Sequence, residues 1–149
     1  MTFKIPAHAT INENLNVKGD LIIEDDVTVR AVINVTGNLI VGNDVSLLKP
    51  TKVDGNVTAQ DFVSCYYIFA GGDISFGEGV TAIYCKAGRD FNSGKNANIT
   101  TIFSHGMLHL EDEAYADTIY SETDQYQLDD TCEYGIISPE EVTFEAMVS

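Results

Sequence analysis

The sequence predicts an all-β protein, a parallel β-helix of about seven triangular turns of 17–18 residues each, closed by a short acidic helical or irregular cap. Three observations predict it. Apolar pairs separated by one residue begin every six residues: Leu21/Ile23, Val27/Val29, Ile33/Val35, Leu39/Val41, Val45/Leu47. A glycine followed by Asp or Asn precedes every third pair, at Gly19-Asp20, Gly37-Asn38, Gly55-Asn56 and Gly72-Asp73. No long stretch of this region carries the three- and four-residue apolar spacing of an amphipathic helix.

Alternation at period 2 puts both members of a pair on one face of a strand. The residues between pairs must turn the chain, so that the next pair also points inward. Three such steps close a triangle. A single turn buries too few side chains, at about 1.5–3 kcal/mol each, to offset about 1–2 kcal/mol per residue of backbone ordering. Stability must therefore come from stacking turn on turn.

Residues 1–15 read as an incomplete first turn, with pairs Phe3/Ile5 and Ala9/Ile11, and Pro6 at an edge where its missing N–H does no harm. This end should leave strand edges open, and Phe3, Ile5 and Ile11 are candidates for self-association there. Residues 16–51 are the most regular. Their outward positions are mostly polar, with Ile22 and Ile40 as a possible contact stripe. Residues 52–85 continue the register through Val63/Cys65 and Ile68/Ala70, with the step into the third face one residue shorter. Tyr66, Tyr67 and Tyr84 fall off the inward pairs, and outward tyrosines suit an interface. Residues 86–119 keep the register with smaller core residues, including Ser93 and Ser104, and the pattern fades at Ile119/Ser121.

Two units are thus expected: the β-helix over 1–119 and an acidic extension over 120–149. The extension holds Asp129, Asp130, Glu133, Glu140 and Glu141 among its acids and has no Lys or Arg. Ser138-Pro139-Glu140-Glu141 reads as a helix start, with a Ser cap, Pro in the first turn and acids at the positive end. A short helix through Val148 should cap the end of the rod or pack along its side. Either Val142, Ala146 and Val148 or Phe144 and Met147 would face inward.

Composition narrows the function. The net charge is −15, from 23 acids against 8 bases, so direct nucleic-acid binding is not expected. A basic protein partner is expected instead. Three cysteines without close spacing argue against a disulfide framework or zinc site, and Cys65 and Cys85 fall at inward positions. No apolar run reaches a membrane span, and the first residues lack a signal-peptide pattern, so a cytoplasmic protein is expected. His105 and His109 are four apart on a strand, which is not a metal-binding arrangement. No phosphate loop, nucleophile elbow or metalloprotease motif is present. The stacked Asp20, Asn38, Asn56, Asp73 and Asp90 could resemble a catalytic carboxylate ladder, but they sit where corners require them. A hexapeptide acyltransferase coil places a small residue two before each aliphatic, whereas most pairs here are bulky at both positions. The expectation is no enzyme, no cofactor, and no catalytic or metal residue.

The repeated V-x-G-[DN]-[LIV]-x-[IV] units, Val17 to Ile23 and Val35 to Val41, resemble the bactofilins, a polymer-forming bacterial cytoskeletal family, over roughly residues 10–119. The resemblance implies a right-handed coil that assembles end to end. The first functional expectation is an acidic binding protein that docks on a basic partner as an inhibitor, immunity protein or nucleic-acid mimic. Tyr66, Tyr67, Tyr84 and the five extension acids named above are its candidate contacts. The alternative is a bactofilin-like self-assembling scaffold, a homo-oligomer as dimer or polymer.

Overall fold

The computed structural model describes residues 1–136 and 142–148. The chain winds into a parallel β-solenoid of about eight turns, with a small helix near the C-terminus. At about 4.8 Å per turn, the rod is roughly 35 Å long. The first face is an eight-stranded parallel sheet, from Thr2–Ile5 through Asp20–Ile23 and Leu39–Val41 to Leu108–Leu110 and Tyr126–Leu128.

The second and third faces begin as separate short strands, such as Thr28–Val29 and Ile33–Val35. From Thr81 onward they fuse into the seven-residue strands Thr81–Ala87, Asn98–Ser104 and Tyr115–Ser121, which bend at the corner without breaking. The fusion follows from the lost residue. Cys65 pairs with Leu47, 18 positions earlier, but Ile68 pairs with Thr51, only 17 earlier. With one residue fewer there is no room for a loop at that corner.

The inward columns are those the pairing pattern dictates. Leu21, Ile23, Val27, Val29, Ile33 and Val35 are all buried, and so are their equivalents in later turns. Ser93, Ser104 and Ser121 are buried too, and their hydroxyls are used inside the coil. Ser104 Oγ donates to the Arg89 carbonyl at 2.7 Å, and Ser121 Oγ to the Gly106 carbonyl at 2.6 Å.

The solenoid does not end at residue 119. Tyr126–Leu128 pairs in parallel with Leu108–Leu110, and Glu133–Ile136 with Tyr115–Ser121. The expected acidic extension therefore supplies an eighth turn. Two changes hide it. Leu108 pairs with Tyr126 18 positions on, whereas Ser104 pairs with Ser121 17 on, so the corner between them holds one extra residue. That corner also lacks glycine, and Asp124 within it has a positive φ of 57°.

The glycine corners are of two kinds. Among them only Gly19 has a positive φ, 121°. At Gly37, Gly55, Gly72 and Gly106 the constraint is space. A Cβ there would strike the Oδ1 of Asp20, Asn38, Asn56 or Asp90 in the turn below. Those oxygens form a ladder up the rod rather than bonding within their own turn. Asp20 Oδ1 accepts the Asn38 N–H at 2.8 Å, Asn38 that of Asn56 at 2.8 Å, and Asn56 that of Asp73 at 2.8 Å. Asp73 accepts the Asp90 N–H at 3.0 Å and Asp90 the Met107 N–H at 2.8 Å. Met107 has no such oxygen, and the ladder stops. A second, shorter ladder runs Asp25, Asn43, Asp61 to the Glu78 N–H.

Helix Phe144–Val148 lies along the side of the rod, against the third face. Val142, Phe144 and Met147 face the coil, while Val148 is exposed. The proposed helix start at Ser138-Pro139-Glu140-Glu141 lies outside the described residues.

Candidate interaction surfaces

The candidate contacts fall mainly at the two ends of the rod and on its third face, among the described residues. At the first end, Thr2–Ile5, Thr10–Ile11 and Leu15–Val17 have a neighbouring strand on one side only, among the described residues. Phe3 is 46% exposed, Ile11 is half-buried, and Ile5 is buried under its own turn. Of the three candidate edge residues, Phe3 and Ile11 are therefore accessible. The charged side chains here are Lys4, Lys18 and Glu13, beside His8.

The last turn is open in the same way. Tyr126–Leu128 and Glu133–Ile136 end their sheets, again among the described residues. Tyr134 and Ile136 are 45% and 50% exposed, and Tyr126, Leu128 and Cys132 are half-buried. Residues 107–136 hold nine acids and no Lys or Arg. Asp130 and Glu133 are exposed, while Asp129 is half-buried, its Oδ1 3.4 Å from His109 Nε2. The acidity is felt locally. Burial and the nearby Asp129 carboxylate push the Cys132 thiol up. A hydrogen bond to the Asp117 carboxylate, and its charge, push the Tyr115 hydroxyl up.

The third face carries an outward column of cations and aromatic rings, alternating as far as Phe103. Lys52, Phe69, Lys86, Phe103 and Tyr120 stack in consecutive turns. The C-terminal segment covers it. The Phe144 ring meets Phe69 edge-on at 5.9 Å, Lys52 Nζ lies 5.9 Å from the Phe144 ring centre, and Glu145 Oε1 lies 3.7 Å from Lys52 Nζ. The Val142 N–H donates to Tyr84 Oη at 3.2 Å.

The candidate tyrosines therefore divide. Tyr66 is 44% exposed. Tyr67 is half-buried in the aromatic cluster. Tyr84 is only 5% exposed beneath the C-terminal segment, where its Oη accepts the Val142 N–H. Outward direction from the coil was legible in sequence; the element that later covers it was not. Glu140 and Glu141 lie outside the described residues.

The histidines bridge turns vertically. His8 Nδ1 lies 2.7 Å from Asp26 Oδ2 and His105 Nδ1 2.6 Å from Glu122 Oε2. Among the described residues, no three His, Cys, Asp or Glu side chains gather into a metal-holding group. No described helix is long and apolar enough to cross a membrane. No protein-family model, curated protein or solved structure matches this chain.

Proposed function

We propose that this chain is a self-associating rod, a bactofilin-like scaffold whose copies stack head to tail. The observation that carries the reading is that, among the described residues, the strands at both ends of the solenoid lack a further neighbour, while the C-terminal helix lies on the side. Within the rod each turn donates both ways: the Arg30 N–H to the Ile11 carbonyl of the turn below, the Leu21 N–H to the Asn38 carbonyl of the turn above. The two ends therefore offer complementary halves of one ladder. A second copy translated along the axis satisfies them as another turn would. Charge supports the same polarity. The first turn has two lysines against one acid, and the last thirty described coil residues, 107–136, have nine acids and no base. Joining unlike ends brings opposite charges together, while joining two C-terminal ends repels.

Sedimentation as a function of protein concentration tests this. Expected is a mass that grows with concentration, and growth abolished by Leu128→Glu in the last turn. A small fixed mass at every concentration overturns it. The second reading is an acidic protein that docks on a basic partner, favoured by the base-free surface of residues 107–136. It rests on the same end and predicts a small fixed mass with salt-sensitive retention on immobilised poly-lysine.

A further inference from the structure

The outward central column of the second face carries no charge from Thr28 through Ser46, Ser64, Thr81 and Asn98 to Tyr115. The corner beside it is left-handed in seven successive turns, from His8 to Glu113. Polar residues or Gly79 hold that backbone in every turn but one. Phe62 is the exception. Its φ is 58°, which is costly for a bulky side chain, and its ring is 57% exposed. Neither property favours the coil itself, and a residue held in such a conformation marks a place of contact. The ring leans over Gly79, where a Cβ would come within 2.7 Å of Phe62 Cδ1. Across the face, Tyr66 and Ile83 in adjacent turns are 44% and 41% exposed, next to half-buried Leu48. These four side chains occupy the middle turns of the rod. Apart from Asp44, the charges of this face lie outside them, with Asp26 and Arg30 below and Glu113 and Asp117 above.

We infer that the second face is the contact surface for a second copy of this chain, lying side by side and antiparallel as a two-fold pair. A second copy is the occupant because the face complements its own reversed image. A two-fold axis across the rod, between the turns of Ser64 and Thr81, sets each column against itself in reverse order. Tyr66 then meets the partner's Ile83, and Ser46 the partner's Asn98. The two Phe62 rings, each leaning toward the axis over its own Gly79, meet one another. The contact has an apolar centre and a polar rim, the usual anatomy of an interface. Charge selects the antiparallel sense. A parallel pair would set Glu113 and Asp117 against the same two acids, in a molecule of net charge −15. The antiparallel pair sets Asp117 against the partner's Arg30. Asp26, opposite the partner's Glu113, already lies 2.7 Å from His8 Nδ1. Such a contact closes at two chains, so it is separate from growth through the ends and does not depend on it.

Disulfide trapping tests it. In a Cys132→Ser background, Ser46→Cys and Asn98→Cys are made singly and together, and oxidised with diamide over a range of concentrations. Cys65 and Cys85 are buried and do not compete. Within one chain the two positions are three turns apart, about 14 Å, beyond the roughly 7 Å that a disulfide spans. Expected is a covalent dimer from the double variant and from the mixed single variants, at least tenfold above either single variant alone. Arg30→Glu should reduce it at least fivefold, and Arg30→Glu/Asp117→Arg should restore it. Leu128→Glu should leave it unchanged, which separates a failure of end stacking from a failure of the pair. Three outcomes overturn the inference. In the first, trapping is no greater than for Thr58→Cys, an exposed position on the first face. In the second, Ser46→Cys alone gives as much dimer as the mixture. In the third, the charge swap gives no rescue. Loss of dimer with Leu128→Glu would assign the contact to end joints instead.

Discussion

At the residue scale, the corners show how two side chains divide one space. Asn38 reaches up to the Asn56 N–H, and its Oδ1 occupies the volume a Cβ on Gly55 would need. The glycine and the Asx residue below it are therefore one device. Gly55→Ala should destabilise by about 1–3 kcal/mol through overpacking, and Asn38→Ala by about 1 kcal/mol through the lost acceptor. The double variant should lose less than the sum, since removing the Asn38 amide makes room for the new methyl. Relief will be partial, because a Cβ on Gly55 also meets the Gly37 carbonyl at 2.7 Å. Urea midpoints of the four proteins measure the coupling, and strict additivity would refute it. The buried cysteines give a second residue-scale outcome. Burial pushes the Cys65 thiol from its ordinary value of 9.0 up to about 12, and burial together with the Cys65 charge moves Cys85 the same way. A folded-state value raised above the unfolded one means that the folded chain holds its thiol protons while the unfolded chain releases them. That stability is complete below pH 9 and is lost between pH 9 and about 12. Melting temperature should fall less steeply over that window in Cys65→Ala/Cys85→Ala than in the parent. Parallel slopes would contradict it.

Elements here are whole turns, because no strand is stable outside the stack. Leu21 to Asn38 is one 18-residue period, since Leu21 pairs with Leu39. Its removal joins Asp20 directly to Leu39 and leaves an Asx acceptor beneath Gly55. The shortened chain should give a far-ultraviolet spectrum of the same shape and a lower melting temperature. Removal of nine residues instead should abolish folding, because the inward pairs above and below then fall out of phase. A folded nine-residue deletion would show that the turns are not the cooperative unit. The C-terminal helix is an element of another kind. It has no stability of its own and takes its conformation from Phe69 and Lys52.

For the whole molecule, the governing feature is polarity of charge along the axis. Eleven acids and all eight bases precede Asn96, while twelve acids and no base follow it. In the proposed stack, unlike ends would join most readily at low ionic strength, since the Debye length falls from about 10 Å at 0.1 M to about 3 Å at 1 M. The mass of the assembly should therefore decrease in high salt if end charges dominate. If hydrogen bonds and the Leu128 and Phe3 columns dominate the joint, mass should persist in salt and depend on Leu128→Glu alone. Light scattering across a salt series separates the two contributions.

The sequence by itself determined the coil. Period-2 pairs at six-residue steps permit only inward stacking, and the missing residue after Cys65 is visible as a shorter step. The columns from Leu21 to Ile119 follow from that pattern because a one-residue slip would turn every pair outward. It did not reveal the eighth turn, where Tyr126, Leu128 and Cys132 are spaced by an enlarged corner and interrupted by acids. Nor did it distinguish a glycine needed for φ, as at Gly19, from one needed for space, as at Gly55, since both look alike in a string of letters. Tertiary structure alone decided that the C-terminal helix lies on the side of the rod over Tyr84 and, among the described residues, adds no strand to either end. That choice rests on contacts between residues such as Phe69 and Phe144, 75 positions apart. Local periodicity carries no information over such a distance; only the folded stack brings the two rings within 5.9 Å.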